Sequence, residues 1–166
     1  MATKSSSALW TDPRGIRFKI SPVADLSGSV RGDWDLDRRF PLDTAVKHVA
    51  IAQRYLEGAA WEETALFRVA YAARIERGDS VRGCGTMKAL LDQYYTRVDG
   101  MFADMKRRGF DAGAGPLPTF LIGRGGEVFI GNQGNHRLAM ARVLELDRIA
   151  GKVVCRHPRA LVPFPQ

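Results

Sequence analysis

The stretch Gly131-Asn132-Gln133-Gly134-Asn135-His136-Arg137-Leu138-Ala139-Met140-Ala141 carries the side chains most ready for chemistry. A short apolar strand runs into a glycine-bearing turn and then into a helix that opens on His-Arg. Free backbone N–H groups at a helix start attract anions, and a guanidinium and an imidazole beside them strengthen the pull. The chemistry predicted there is phosphate binding. Gly131 and Gly134 let the backbone approach the ligand, while Asn135, His136 and Arg137 supply donors. Arg137, a planar fork suited to bidentate contact with phosphate, is the leading candidate. Structural readings compete at each position. The glycines also suit a plain strand-to-helix turn, Arg137 a salt bridge that ties the helix to the fold, and His136 a half-buried imidazole that holds the turn.

Two carboxylates flank an aromatic at Asp33-Trp34-Asp35. Asp33 and Asp35 are the candidate catalytic groups, able to bind a divalent ion that accompanies a phosphate or to act as general base. An Asx-type turn, with Trp34 plugging a gap between helices and sheet, accounts for the same residues structurally. Arg156 and His157 close the last strand and are candidates for a second phosphate or an acidic substrate, or are plain surface residues. Gly123-Arg124-Gly125-Gly126 lacks both the six-position pattern of a phosphate loop and a following helix, so it reads as a hairpin turn. Cys84 and Cys155 have no CxxC spacing, which predicts free thiols and assigns no metal site.

The elements that must position these residues follow from periodicity. Residues 1–15 read as a flexible N-terminal arm and 16–166 as a single domain. Residues 16–20 alternate as a strand that Ser21-Pro22 stops, and the chain to Phe40, with four aspartates, reads as a loop. A helical insert follows at about residues 41–108. Its first helix is expected from Pro41, with Leu42, Val46, Val49, Ala50 and Leu56 inward, to Gly58. The second spans 61–77, led by Glu62 and Glu63. The third opens at Thr86 and turns Leu90, Tyr94, Val98, Met101 and Met105 to one face before Gly109. The last third reverts to strands at 118–122, 127–130 and 151–155, with a helix from Asn135 to about Leu146.

With 45% hydrophobic residues in 166, the chain is long enough to bury one core. A net charge of +7 and a pI near 9.8 point to an anionic partner. The basic residues fall in short groups, Arg38-Arg39, Lys106-Arg107-Arg108 and Arg156 to Arg159, which suits solvated faces. No apolar run approaches the ~20 residues of a membrane-spanning helix, and the polar, Ser-rich start lacks a secretory core. A soluble, cytoplasmic protein with no membrane partner is expected.

The order strand, turn, strand, Gly-Asn-His-Arg-Leu-Ala-Met-Ala, Leu-Glu-Leu-Asp turn and strand resembles the core of the ParB/sulfiredoxin-like superfamily, mainly over residues 117–157. Arg17 to Pro22 is a weaker match to its first strand. Gly32-Asp33-Trp34-Asp35, Gly83-Cys84-Gly85 and Arg156-His157 are similar to features of small ParB-like proteins with a helical insert. The resemblance implies an α+β fold, a small mixed β-sheet of ParB/sulfiredoxin-like type with an inserted helical bundle. It also implies a nucleoside triphosphate with Mg²⁺ at residues 134–137, and an NTP hydrolase or small-molecule kinase, since kinases of the superfamily use an acidic residue from the loop after the first strand. Asn135 stands where sulfiredoxins carry their reactive cysteine, which excludes that chemistry. About ten residues follow the last strand, so the helix-turn-helix of a partition clamp is not expected. The alternative function is a non-catalytic basic nucleic-acid-binding or adaptor protein that grips DNA or an acidic partner.

Overall fold

A computed structural model describes residues 8–160 of the chain. Among these residues seven strands form one mixed sheet. They are β1 (Leu9–Thr11), β2 (Phe18–Ile20), β3 (Gly28–Ser29), β4 (Arg39–Pro41), β5 (Thr119–Ile122), β6 (Val128–Ile130) and β7 (Ile149–Arg156). The order across the sheet is β1-β7-β5-β6-β2-β4, with β3 paired to the far part of β7. The β5–β6 pair is antiparallel, whereas β5 and β3 run parallel to β7 and β2 runs parallel to β6.

Period-two alternation divides the core between the faces of this sheet. Phe120 and Ile130 belong to a large cluster with Ile51, Trp61, Leu66, Leu90, Tyr95 and Leu138. Their neighbours Leu121 and Phe129 belong to a smaller one with Ile20, Leu26, Trp34 and Cys155. The helical insert and α6 (Asn135–Val143) cover the first face. The second is covered by residues 23–34, a stretch expected to be plain loop. It contains β3 and leads into α1 (Trp34–Asp37), whose Trp34 indole donates to Val30 O at 3.0 Å and packs edge-on against Phe129. Trp34 is thus structural, but on the sheet face away from the helices.

In the insert, α2 (Val46–Tyr55) lies along α6. A helix from Ala65 passes through a π-helical segment, Phe67–Tyr71, into α3 (Ala72–Glu76). The third expected helix runs as α4 (Met87–Ala89), a second π-helical segment, Leu90–Tyr95, and α5 (Thr96–Arg108). Thr86 caps its start, accepting the Ala89 N–H at 3.1 Å, and Gly109 ends it at φ +77°. Asp99 on α5 accepts from Tyr55 Oη at 2.7 Å and Trp61 Nε1 at 3.1 Å, tying the helices together.

Four expectations are corrected. Leu9–Thr11, placed in the flexible arm, is instead an edge strand in register with Gly151, Ala150 and Ile149 of β7; residues 1–7 lie outside the described residues. Pro41 ends a strand and does not begin a helix, because Phe18 and Lys19 of β2 pair with Pro41 and Phe40, and proline is tolerated at a sheet edge. The first helix consequently begins only at Val46. Leu56, expected inward, is 67% exposed, since α2 ends at Tyr55 before its apolar stripe completes another turn. The final strand is longer than expected at both ends because it carries three partners.

Candidate functional site

Gly134 enters α6 at φ +85°, the left-handed region that glycine adopts without penalty. A Cβ there would lie 2.4 Å from Pro118 Cβ, and one at Gly131 would lie 2.7 Å from Thr119 Oγ1. Both glycines are therefore required by the packing of the turn against the start of β5. The Asn135 side chain is buried and donates back to Gly131 O at 3.1 Å and Asn132 O at 3.3 Å, so it closes the turn. Among the described residues no side chain caps α6. The N–H groups of Asn135, His136 and Arg137 have no acceptor among the described residues.

Four elements bring basic side chains to this helix start: Lys19 from β2, Lys47 and His48 from α2, Arg82 from a two-residue turn, and His136 from α6 itself. Burial, and then the charges of Lys47 and Arg82, push the His136 imidazole down to about 3. Burial, then Arg82 and Lys19, hold the Lys47 ammonium below its usual range. No carboxylate acts on either group among the described residues. His48 is 7% exposed, is pushed down to about 4 by burial and then by Arg142, and its Nε2 has no hydrogen-bond partner among the described residues. Such a concentration of like charge, with Asp43 acting on His48 but no carboxylate among the described residues acting on Lys47 or His136, repels itself and attracts anions.

Arg82 is placed by unusual backbone. It stands at φ +54° and Gly83 at φ +78°, closing a turn in which Val81 and Cys84 exchange two backbone hydrogen bonds of 2.9 Å. Positive φ at both central residues marks a type I′ turn, where a non-glycine at the first position is strained. The guanidinium donates to Tyr71 Oη at 3.0 Å and lies over the rings of Tyr71 and Tyr94. Tyr94 in turn meets His136 edge-on, with centroids 6.3 Å apart. Tyr71 and Tyr94 both belong to the π-helical segments, which redirect side chains relative to a regular helix and recur at functional sites.

Arg137 stands apart from this group. Its guanidinium donates to Pro116 O at 3.1 Å and to Asp111 O, and lies 4.1 Å from the Phe110 ring centroid. It ties α6 to the loop before β5, through backbone carbonyls and not through a salt bridge. The expected bidentate phosphate fork is therefore already occupied.

No family model matches the chain, and no curated protein or solved structure does. Strand register alone places the remaining candidates. Gly131 sits beside Thr119 at the start of β5, and Arg156 is in register with Ile122 at its end, about 10 Å away. Arg156 and His157, expected near the same edge as residues 134–137, thus stand at the opposite end of the strand. Asp33 and Asp35 are there too. Asp35 is fully buried and receives Arg124 through its backbone N–H at 2.8 Å, Nε at 3.0 Å and Nη2 at 2.8 Å. Burial alone would raise its carboxyl, but Arg124 holds it below the usual range. Asp33 takes the same Nη2 at 2.7 Å. Arg156 is buried and donates to Ala160 O at 2.8 Å. Asp33 and Asp35 therefore neither reach the α6 start nor form the second wall of a site there.

The hairpin reading of residues 123–126 holds, with Gly126 N–H donating to Gly123 O at 3.0 Å. That reading missed Arg124, and it missed Lys19, Lys47, Arg82, Tyr71 and Tyr94. The Arg82-Gly83 pair, followed by Cys84-Gly85, is a local turn signal that marks Arg82; nothing local marks the lysines. Cys84 and Cys155 are buried free thiols, and burial pushes Cys155 up to about 11. Among the described residues no helix is long and apolar enough to cross a membrane.

Proposed function

We propose that this protein binds the phosphates of a nucleoside triphosphate at the start of α6, with Lys19, Lys47, Arg82 and His136 as the contacting side chains and the free N–H groups of residues 135–137 beneath them. The observation that carries this reading is the convergence of basic groups from four elements, with no carboxylate among the described residues acting on Lys47 or His136, on an uncapped helix start. A bound triphosphate supplies the missing negative charge and relieves the mutual repulsion. The resemblance of residues 117–157 to a nucleotide-binding core favours a nucleotide over free phosphate. Mg²⁺ would arrive on the nucleotide. Asp33 and Asp35 are too far to act on the same phosphates, so we favour binding over hydrolysis or phosphoryl transfer. Calorimetric titration with CTP, ATP and GTP plus Mg²⁺ tests this. Binding of at least one is expected, weakened about tenfold or more by Lys19→Ala with Lys47→Ala. Failure of all three to bind at millimolar concentration overturns it.

A second reading, a basic adaptor for single-stranded nucleic acid, is favoured by one surface. Arg148 lies 4.8 Å from the ring centroid of Trp10, which is 44% exposed and meets Phe110 edge-on, beside the basic end of α5. Interleaved aromatic and basic groups suit stacked bases and phosphates. If DNA stays unbound at about 50 mM salt, this reading fails.

A further inference from the structure

Because β3 and β5 both run parallel to β7, the carboxyl ends of these three strands lie on one side of the molecule. A cavity of about 350 Å³ opens there, walled by Arg31, Asp33, Arg124, His157 and Arg159. In open sheets, ligands gather outside the carboxyl ends of parallel strands.

The donors of this wall are only partly committed. Arg124 uses Nε and Nη2 on Asp35, Asp33 and Gly32 O, which leaves Nη1 without an acceptor among the described residues. His157 is 4% exposed, and its Nδ1 accepts the Arg159 backbone N–H at 3.1 Å. With Nδ1 accepting, Nε2 carries a ring proton, and it has no acceptor among the described residues. Arg31 and Arg159 are exposed and form no ion pair among those residues.

Two buried groups fix the direction of these donors. Asp35 grips Arg124 from below, and the Trp34 ring packs 6.4 Å from that of His157. A buried carboxylate–guanidinium pair seldom out-stabilises apolar packing of the same volume. Its effect here is to hold Arg124 in one orientation toward the cavity.

We infer that this cavity binds the oxyanion group, phosphate or carboxylate, of a small molecule. Arg31 and Arg159 supply the net positive charge, while Arg124 Nη1 and His157 Nε2 supply donors held in place. The volume lies at the low end for ligand pockets, which limits the occupant to a small metabolite. The site is separate from the α6 start and stands whether or not a nucleotide binds there.

The three histidines make the test selective, since His157 reports on the cavity and His48 and His136 on the α6 start. Histidine-labelled protein is titrated with inorganic phosphate and, separately, with malonate, and the imidazole resonances are followed by NMR. A saturable millimolar shift of His157 is expected with at least one anion. Arg31→Ala with Arg159→Ala should weaken that response about tenfold or more, with the Trp34 indole resonance unmoved as a check on folding. Response to phosphate alone assigns a phosphorylated ligand, and response to malonate alone or to both assigns a carboxylate or a general oxyanion site. An unmoved His157 overturns the inference, as does a shift that persists unchanged in the double variant.

Discussion

Arg137 and Asp35 carry opposite lessons about what a charged side chain does once its surroundings are fixed. Arg137 has the chemistry of a phosphate fork, but its N–H groups go to Pro116 O and Asp111 O and its plane covers Phe110. Arg137→Ala should therefore lower stability by about 2 kcal/mol and leave nucleotide affinity within about twofold. Denaturant unfolding and calorimetric titration of the same variant check both halves, and loss of affinity without loss of stability would restore the fork. Asp35 has the chemistry of a general base, yet its carboxylate is fully buried in the grip of Arg124. Asp35→Ala removes the acceptor of the Arg124 backbone N–H and Nε, leaving the guanidinium to Asp33 and Gly32 O, and should lower the unfolding midpoint. An unchanged midpoint would show that the buried carboxylate adds nothing to stability. Lys19 and Lys47 are the reverse case, with no sequence motif around them and no ion pair among the described residues.

At the scale of elements, the turn into α6 shows how closely strand and helix are fitted. Gly134 is confined both by its positive φ and by the atoms of Pro118. Gly134→Ala should destabilise by about 3 kcal/mol, combining backbone strain with the clash, and thermal unfolding measures it. A cost under about 0.5 kcal/mol would mean that the turn adapts freely. The glycine–helix–strand order from Gly131 to Arg156 was legible because each signal there is local: apolar alternation, glycines at turns, and a helical stripe of Leu138 and Met140. β1, β3 and β4 were not legible. Each is two or three residues long, and their pairing energy comes from partners far away in sequence, so no local period announces them. The π-helical segments were invisible for a similar reason: the slip of one residue moves full burial from the expected Tyr94 to Tyr95, and packing against distant side chains selects it.

For the whole molecule, the buried histidines set a pH dependence. His48 and His136 are held near 4 and 3 in the folded chain, while an unfolded imidazole titrates near 6.5. Between those values the unfolded state binds more protons, so stability rises with pH there. It is complete above about pH 6.5 and falls as pH drops toward the folded values, by up to about 1.4 kcal/mol per pH unit for each histidine. Melting temperatures measured from pH 7 down to about 5.5, above the range where carboxylates titrate, should fall steadily. A flat profile would show that neither imidazole is held neutral. Bound triphosphate should flatten the profile, because its charge favours protonated His136.

By itself the sequence determined a mixed α and β chain with a helical insert, the glycine turn into the last helix, the 123–126 hairpin and the positive field. These depend on periodicity, glycine and summed charge, which are properties of neighbours in the chain. Only the tertiary structure decided which charged groups meet. Asp33 and Arg124 are 91 positions apart, and Lys19, Lys47, Arg82 and His136 come from four separate segments. It also decided that the two sets of candidate residues stand at opposite ends of β5, because register along a strand is set by pairing partners and by burial of one face. The glycine turn that leads in the sequence keeps its place at the start of α6, and the cations beside it come from elsewhere in the chain.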